Sequence, residues 1–411
     1  MLDIKFIREN AKLVEEKAKQ KGYVPNIEKL LEVDEKRKNL IEAVDKLRQE
    51  RNQSAKKQDK ETGTKIKVDL KNKEVELEKA SEEYYQLIRE VPNLPKDDVP
   101  VGRDENDNKV LREVGEKPKF DFEPKDHLEL GLGLDLIDTE RASKISGPRF
   151  AFLKNELVTL EFAIIRYAFD ILTQEGFIPI IPPVIINKKP AEGLGYPEYE
   201  TGEGYKIDDQ YLVGTAEHSI VPMHMNETFG EKDLPKRYVG FSPAFRREAG
   251  SYGKDTRGIF RVHQFDKVEM VSFVKSEDED KEHQYLLSLE EKMVQSLALP
   301  YRVVNICTGE LGFPTAQKYD IETWIPSQQK YRETHSASTN TDFQSRRLNI
   351  KFFPAEGQGG PQKAYVYVLN ATAFAIGRTI IAIMENFQAK DGSIQIPKAL
   401  HKYTGFTKIP S

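Results

Sequence analysis

A chain of 411 residues with 38% hydrophobic and 31% charged side chains can bury more than one core and stay in water. Its formal net charge of −5 excludes nucleic-acid binding by overall charge and leaves that role to a local basic patch. The single cysteine, Cys307, excludes an intramolecular disulfide and a cysteine-based zinc centre.

The opening Met1-Leu2-Asp3-Ile4-Lys5 lacks the basic-then-apolar pattern of a signal peptide, and no apolar run reaches the length of a membrane span. A soluble cytoplasmic protein with no membrane partner is expected. Residues 3–20 read as helix, with Ile4, Ile7, Ala11 and Val14 at the apolar positions. From residue 26, Leu30, Val33, Leu40, Val44 and Leu47 follow alternating three- and four-residue steps, with Arg37 in one slot. That is the heptad seam of a coiled coil. A break is expected at Glu61-Thr62-Gly63-Thr64, after which the seam resumes through Ile66, Leu70, Lys73, Leu77, Ala80, Tyr84, Leu87 and Val91. Pro92 and Pro95 end it.

Two helices of similar length joined by a glycine turn predict an antiparallel helical coiled-coil arm over about residues 26–92. At 1.5 Å per residue each limb reaches about 45–50 Å. Between residues 46 and 73, ten Lys or Arg stand against four Asp or Glu, whereas acids predominate from 74 to 90. A basic outer end suits contact with a phosphate backbone lying away from the body. The plainer reading is a coiled coil whose charges keep it solvated. The arm belongs to an N-terminal domain assigned to residues 1–100. Residues 101–119, polar and without a steady period, read as linker, and 120–411 as a second domain.

The second domain holds neither a Gly-x4-Gly-Lys-Ser/Thr loop nor a three-glycine dinucleotide fingerprint, so a nucleotide would have to be held in another way. Leu157–Gln174 predicts a helix stopped by Gly176. The run Phe177–Asn187 is strand-like, but Pro179, Pro182 and Pro183 push it to a sheet edge, which is either a dimer contact or an ordinary edge. Tyr211–His218 reads as a short strand with a polar tip, where Thr215 and Glu217 can meet a small polar substrate.

Next come apolar runs ending at Phe245 and restarting at Val262, with a glycine-containing polar loop, Ala249 to Gly258, between them. This predicts an antiparallel hairpin. Arg246, Arg247, Arg257 and Arg261 stand on or beside it, and guanidinium forks suit phosphate or carboxylate. Glu248 and Glu269 offer carboxylates to an amine. On charge alone a salt-bridged surface hairpin explains these residues equally well.

A charged helix is expected at about 277–298, and strands at Tyr301–Asn305, Asp320–Pro326 and Tyr331–Ser338. Glu333 and Ser336 supply the hard oxygens that Mg2+ takes beside substrate phosphates. His335 is expected on the opposite strand face from Ser336. Gly357–Gly360 reads as a turn and Ala364–Leu369 as a strand. Asn370 is expected to open an apolar helix through Gln388, on which Arg378 needs an acidic partner or an anion.

Taken together, Thr215-Ala216-Glu217, the Phe245–Gly253 segment, Val262-His263-Gln264-Phe265-Asp266-Lys267-Val268-Glu269, Tyr331-Arg332-Glu333 with Thr341–Gln344, and Ile376-Gly377-Arg378-Thr379 closely resemble the bacterial-type seryl-tRNA synthetases. These are class II aminoacyl-tRNA synthetases, and the resemblance runs over essentially the whole chain. It implies an α+β fold, with an antiparallel catalytic sheet flanked by helices. It also implies a homodimer built partly on residues 157–187. The implied reaction joins L-serine to ATP as seryl-adenylate, with Mg2+, then passes the seryl group to tRNA(Ser) and also to tRNA(Sec).

By that resemblance Arg246, Glu248 and Arg378 are the catalytic set. ATP is met by Arg246, Arg247, Glu248, Val262, His263, Gln264, Phe265, Glu333, Thr334, His335, Ser336 and Arg378. Serine is met by Thr215, Ala216, Glu217, Glu269, Asn370 and Thr372, the metal by Glu333 and Ser336, and tRNA by Lys56, Lys57, Lys60, Lys65 and Lys67. Asn370-Ala371-Thr372-Ala373 departs from the family's usual Asn-Gly-Ser-Gly, while Thr372 keeps a hydroxyl. Other readings are a paralogue that loads a non-tRNA acceptor and a non-catalytic RNA-binding relative. The basic arm argues against the first, and the intact Arg246, Glu248, Glu333 and Arg378 against the second.

Overall fold

Leucines, valines and a tyrosine at heptad spacing drive the N-terminal helices together. The computed structural model describes residues 1–57, 59–196, 199, 204–248, 255, 257–354 and 363–410, and of Lys60 the backbone alone. It divides into two compact units, Met1–Leu94 and Pro95–Ser411. In the first, the expected helix over residues 3–20 is two, α1 (Ile4–Glu9) and α2 (Ala11–Gln20), parted at Asn10.

The arm is α3 (Ile27–Lys56) against α4 (Lys60–Arg89). Leu30, Val33, Leu40, Val44, Leu70, Ala80 and Tyr84 of the seam are buried. Arg37 occupies its seam slot by laying its guanidinium 4.8 Å from the centre of the Tyr84 ring, a cation–π contact that lets a charge sit there.

The turn between the two limbs corrects the sequence reading. Helix α4 starts at Lys60, and Gly63 lies inside it. Asp59 caps this helix by accepting from the Thr62 N–H at 3.1 Å, and an N-cap acid is a stronger start signal than a nearby glycine is a stop. Gly63 instead faces the buried tip residue Ser54 of the other limb, where a β-carbon would stand 3.5 Å from the hydroxyl. At the tip Lys56, Lys57, Lys65 and Lys67 are exposed. The side chain of Lys60 lies outside the described residues.

The second unit is built on eight strands: β1 (Lys109–Val114), β2 (Ile178–Ile180), β3 (Lys236–Phe245), β4 (Gln264–Val274), β5 (Tyr301–Asn305), β6 (Gln317–Ile325), β7 (Lys330–Thr339) and β8 (Tyr367–Ala375). They stand in the order β1-β5-β6-β7-β8-β4-β3-β2. All neighbours are antiparallel except β2, which runs parallel to β3. The segment 101–119 is therefore not bare linker. It supplies β1, whose sequence carries the charges of Lys109, Arg112 and Glu113 along an exposed edge, a composition that discourages further strand pairing. The run 177–187 splits, with Ile178–Ile180 on the sheet edge and Ile185–Asn187 in a separate three-stranded sheet.

Helix α5 (Glu156–Gln174) buries Leu157, Leu160, Ile164, Ala168 and Leu172 on one stripe and ends before Gly176, at φ +86°. Helices α6 (Glu279–Ser296) and α7 (Ile376–Asn386) complete the main core. The expected helix start at Asn370 is wrong: Asn370–Ala375 continue β8, and α7 begins at Ile376. Pairing with β4, Glu269 opposite Thr372 and Val271 opposite Asn370, outweighs the helical preference of the alanines.

His283 of α6 is buried and its Nε2–H donates to the Ala337 carbonyl at 3.0 Å. Burial pushes its imidazole down to about 4, so the unfolded chain binds the proton first. The neutral ring therefore contributes fully above about pH 6.5, and that contribution is lost as pH falls toward 4. Against His283→Gln, the native chain is expected to lose its relative advantage over this window by about 1 kcal/mol per pH unit. Urea unfolding of both chains at pH 7 and pH 5 checks it, and an unchanged difference sinks it.

Candidate active site

The cleft face of the sheet is set by two strand irregularities that no periodicity predicts. Between β6 and β7, Ile321 faces His335 and Glu322 faces Glu333, so Thr334 is the extra residue of a bulge. Between β4 and β8, Val268 faces Phe374 and Glu269 faces Thr372, so Ala373 is extra. A bulge changes the alternation by one residue. Glu333 and Ser336, three apart, therefore share the cleft face, as do Thr372 and Ala375. His335 turns to the other face, as expected, where its ring packs 5.4 Å from that of Phe374 and burial pushes it down to about 3.

The cleft, about 580 Å3, has a cationic, aromatic half. Arg246 follows β3 directly; its Nε donates to the Gly214 carbonyl at 3.2 Å and its guanidinium lies 5.3 Å from the Phe265 ring. Glu248, at φ +51°, is held by Arg261 at 3.3 Å, and Arg261 also reaches Asp255 at 3.1 Å. Both Arg332, at 4.1 Å, and Arg378, at 4.8 Å, lay their guanidinium groups near the Phe260 ring centre. Arg378, in the first turn of α7, pairs with the Glu333 carboxylate at 3.1 Å and donates to its carbonyl at 3.0 Å. Burial alone would raise Glu333, but Arg378, Lys318 and Arg246 outweigh it and hold the carboxyl below the usual range. Gly258, at φ +73°, closes the loop against His127 so tightly that a β-carbon would strike that ring.

The other half is polar and smaller. Lys267 and Glu269, two apart on β4, point the same way and pair at 2.6 Å. Across β8, the Thr372 hydroxyl lies 3.5 Å from both, and the Ser336 hydroxyl of β7 lies 3.4 Å beyond it. One row thus crosses three strands. Above it, Glu217 accepts from the Tyr196 hydroxyl at 2.9 Å and from Gln344 Nε2 at 2.9 Å. Burial, with Glu269 nearby, pushes its carboxyl up to about 7 against those bonds. Ala216 is buried against Gly240, where a β-carbon would stand 3.2 Å away. Thr215 Oγ1, Asn370 Nδ2 and Gln344 Oε1 are buried without a hydrogen-bond partner. Native structures rarely leave such atoms orphaned, and beside the polar row these three could pair with a polar ligand.

The structure does not bring every expected residue into the cleft. Arg247 lies over Tyr205 at 4.9 Å and donates to the Gly204 carbonyl. His263 donates from Nδ1 to the Arg246 carbonyl at 3.0 Å, and Gln264 borders an adjoining groove instead. His335 lies behind the sheet. The loop residues Ala249–Lys254 and Thr256, and the turn at Gly357–Gly360, lie outside the described residues. Lys267 went unassigned in the sequence reading, although its two-residue spacing from Glu269 in a strand was signal enough. Arg261 was marked only as one of four hairpin arginines and Phe260 not at all, because their places depend on how the loop folds back.

Residues 203–387 match the family described as tRNA synthetase class II core domain (G, H, P, S and T), and residues 1–95 match the seryl-tRNA synthetase N-terminal domain. The serine–tRNA ligase of Borreliella burgdorferi (strain ZS7) is 43% identical over 100% of this chain and 99% of its own. The seryl-tRNA synthetase of Pyrococcus horikoshii, solved with ATP, is 40% identical and superposes with a TM-score of 0.93 over 100% of this chain and 99% of that one. The cytoplasmic serine–tRNA ligase of Naegleria fowleri, solved with AMP, is 31% identical with a TM-score of 0.89 over the same shares.

Proposed function

The chain belongs to the seryl-tRNA synthetases, class II ligases, and from that premise we propose how its own residues carry the activation of serine and the charging of tRNA(Ser). The serine carboxylate attacks the α-phosphorus of ATP, forming seryl-adenylate and releasing pyrophosphate. A ribose hydroxyl at the 3′ end of the tRNA then takes the seryl group, and AMP leaves.

Most of this chemistry is positioning and charge neutralisation. Arg246 faces the α-phosphate and Arg378 the terminal one. Phe265 and Val262 hold the adenine, with Glu248 accepting from its amino group. Two oxygen donors on one face, Glu333 and Ser336, with further positions open to phosphates and water, suit Mg2+. Mg2+ would supply charge neutralisation on the phosphates. Glu217 and Glu269 meet the serine ammonium, Lys267 its carboxylate, and Thr372 its hydroxyl. At the arm tip Lys56, Lys57, Lys65 and Lys67 contact the tRNA, with Lys60 beside them, and tRNA(Sec) is accepted by the same surface. A second copy covers the exposed Val158, Phe162, Ile178 and Ile181 near α5 and β2. On this reading the enzyme works in the cytoplasm, where ATP and tRNA are used; among the described residues no helix is long and apolar enough to cross a membrane.

The observation that carries this reading is the Lys267–Glu269–Thr372–Ser336 row set beside the arginine cluster. A pocket that pairs a substrate hydroxyl rejects the analogue lacking it, since its buried polar groups are then left unpaired. Exchange of pyrophosphate into ATP, measured without tRNA, is expected with serine and not with alanine, glycine or threonine. Strong exchange with another of these would overturn the specificity, and no exchange would overturn the enzyme reading.

A further inference from the structure

Helix α6 turns three acids into the protein interior, and two are satisfied. Glu279 accepts from the Thr339 hydroxyl at 2.5 Å and pairs with Lys96 at 2.9 Å. Glu282 accepts from the Ser272 hydroxyl and from Arg237, each at 2.6 Å. Glu290 is 0% exposed and neither carboxyl oxygen has a hydrogen-bond partner.

Its surroundings are specific. Helix α6 packs on β8 and β7 from behind, opposite the cleft. The backbone group that acts on Glu290 is the N–H of Thr372, which approaches without completing a hydrogen bond. Thr372 adjoins Ala373, the extra residue of the β8 bulge, whose backbone is left out of the ladder. Burial, with Glu269 and Asp320 nearby, raises the Glu290 carboxyl well above the usual range and so favours its protonated form, which has one donor and free acceptor positions. Such a group can meet the Thr372 backbone beside the irregularity from behind the sheet.

We propose that Glu290 is a positioning residue for serine selection, holding from behind the bulge that turns Thr372 toward the substrate. It touches no substrate. It acts through the orientation of the Thr372 hydroxyl, and the inference rests on the serine-ligase reading.

The test is pyrophosphate exchange by the full chain. Glu290→Leu is expected to raise the serine KM about tenfold or more and to narrow the preference for serine over alanine, with the ATP KM within about twofold. Glu290→Gln keeps a donor and an acceptor and is expected to stay within about threefold of the native serine KM. Glu290→Met, unbranched and more easily accommodated, serves if the leucine variant fails to fold. An unchanged serine KM in the apolar variant overturns the inference. So does a general loss, in which both KM values rise, kcat falls and glutamine restores nothing. Failure of the unsubstituted chain to exchange with serine would instead overturn the functional reading on which it rests.

Discussion

Arg378→Ala is expected to lower serine-dependent pyrophosphate exchange by about 10²–10³-fold, the scale of losing one preorganised charge at the developing negative centre. The loss should appear in kcat and in the ATP KM, with the serine KM little changed, because Arg378 stands with Phe260 and Glu333 in the cationic half of the cleft. Stability should barely move. The partner carboxylate, Glu333, is only partly desolvated, with 43% of its side-chain surface in solvent, and it keeps Lys318 and Arg246 nearby, so losing the pair does not strand it. Arg378→Lys should recover only part of the activity, since a point charge replaces a planar fork. Rates and thermal unfolding of the three chains decide the matter. A drop below about fivefold, or one confined to the serine KM, would show that Arg378 does not meet the nucleotide.

Replacing residues 41–79 by a short Gly-Ser turn is expected to leave serine-dependent exchange within about threefold of native while tRNA charging falls by about 10³-fold or more. The excision removes all ten Lys and Arg between residues 46 and 73. It spares the cluster of Ile7, Val14, Ile27, Leu30, Val33, Tyr84, Ile88 and Val91 that holds the arm's base to α1 and α2. Every residue placed in the cleft, from Tyr196 and Thr215 to Arg378, belongs to the other compact unit. The milder Lys56, Lys57, Lys65 and Lys67 to Ala variant should weaken charging and flatten its salt dependence, because each lost phosphate contact releases fewer counterions. Loss of exchange together with charging would show that the arm is needed for activation itself.

Strand β5 occupies the Tyr301–Asn305 that its pattern predicts, and α5 starts one residue before Leu157. The seam of the arm was legible because each limb needs only its neighbour and the 3.5-residue repeat records that contact. The hairpin of β3 and β4 was legible for the same reason. The β8 segment was not. Ala371, Ala373 and their neighbours carry no strong strand preference, and they are extended because β4 and β7 pair with them on both sides. The turn at Gly63 was misplaced because the glycine serves contact with Ser54 on the opposite limb. The segment 101–119 gave no signal for β1, an exposed edge strand that has no apolar face to show.

The chemistry of the site divides along the same line. The residue types and their order in the chain already marked arginines for phosphate, carboxylates for an amine and a hydroxyl for serine, because those side chains carry their chemistry with them. Which of them share a cleft depended on two bulges, at Thr334 and Ala373, which put Glu333 with Ser336 and Thr372 with Ala375. The fold likewise turned Arg247 to Tyr205, sent His335 behind the sheet and brought Lys267 beside Glu269. A period-two pattern specifies alternation within one strand. The register between strands, and the extra residue that shifts it, are fixed by pairing with segments far away in the chain, Glu269 with Thr372 and Lys109 with Asn305, and only the folded sheet brings those together.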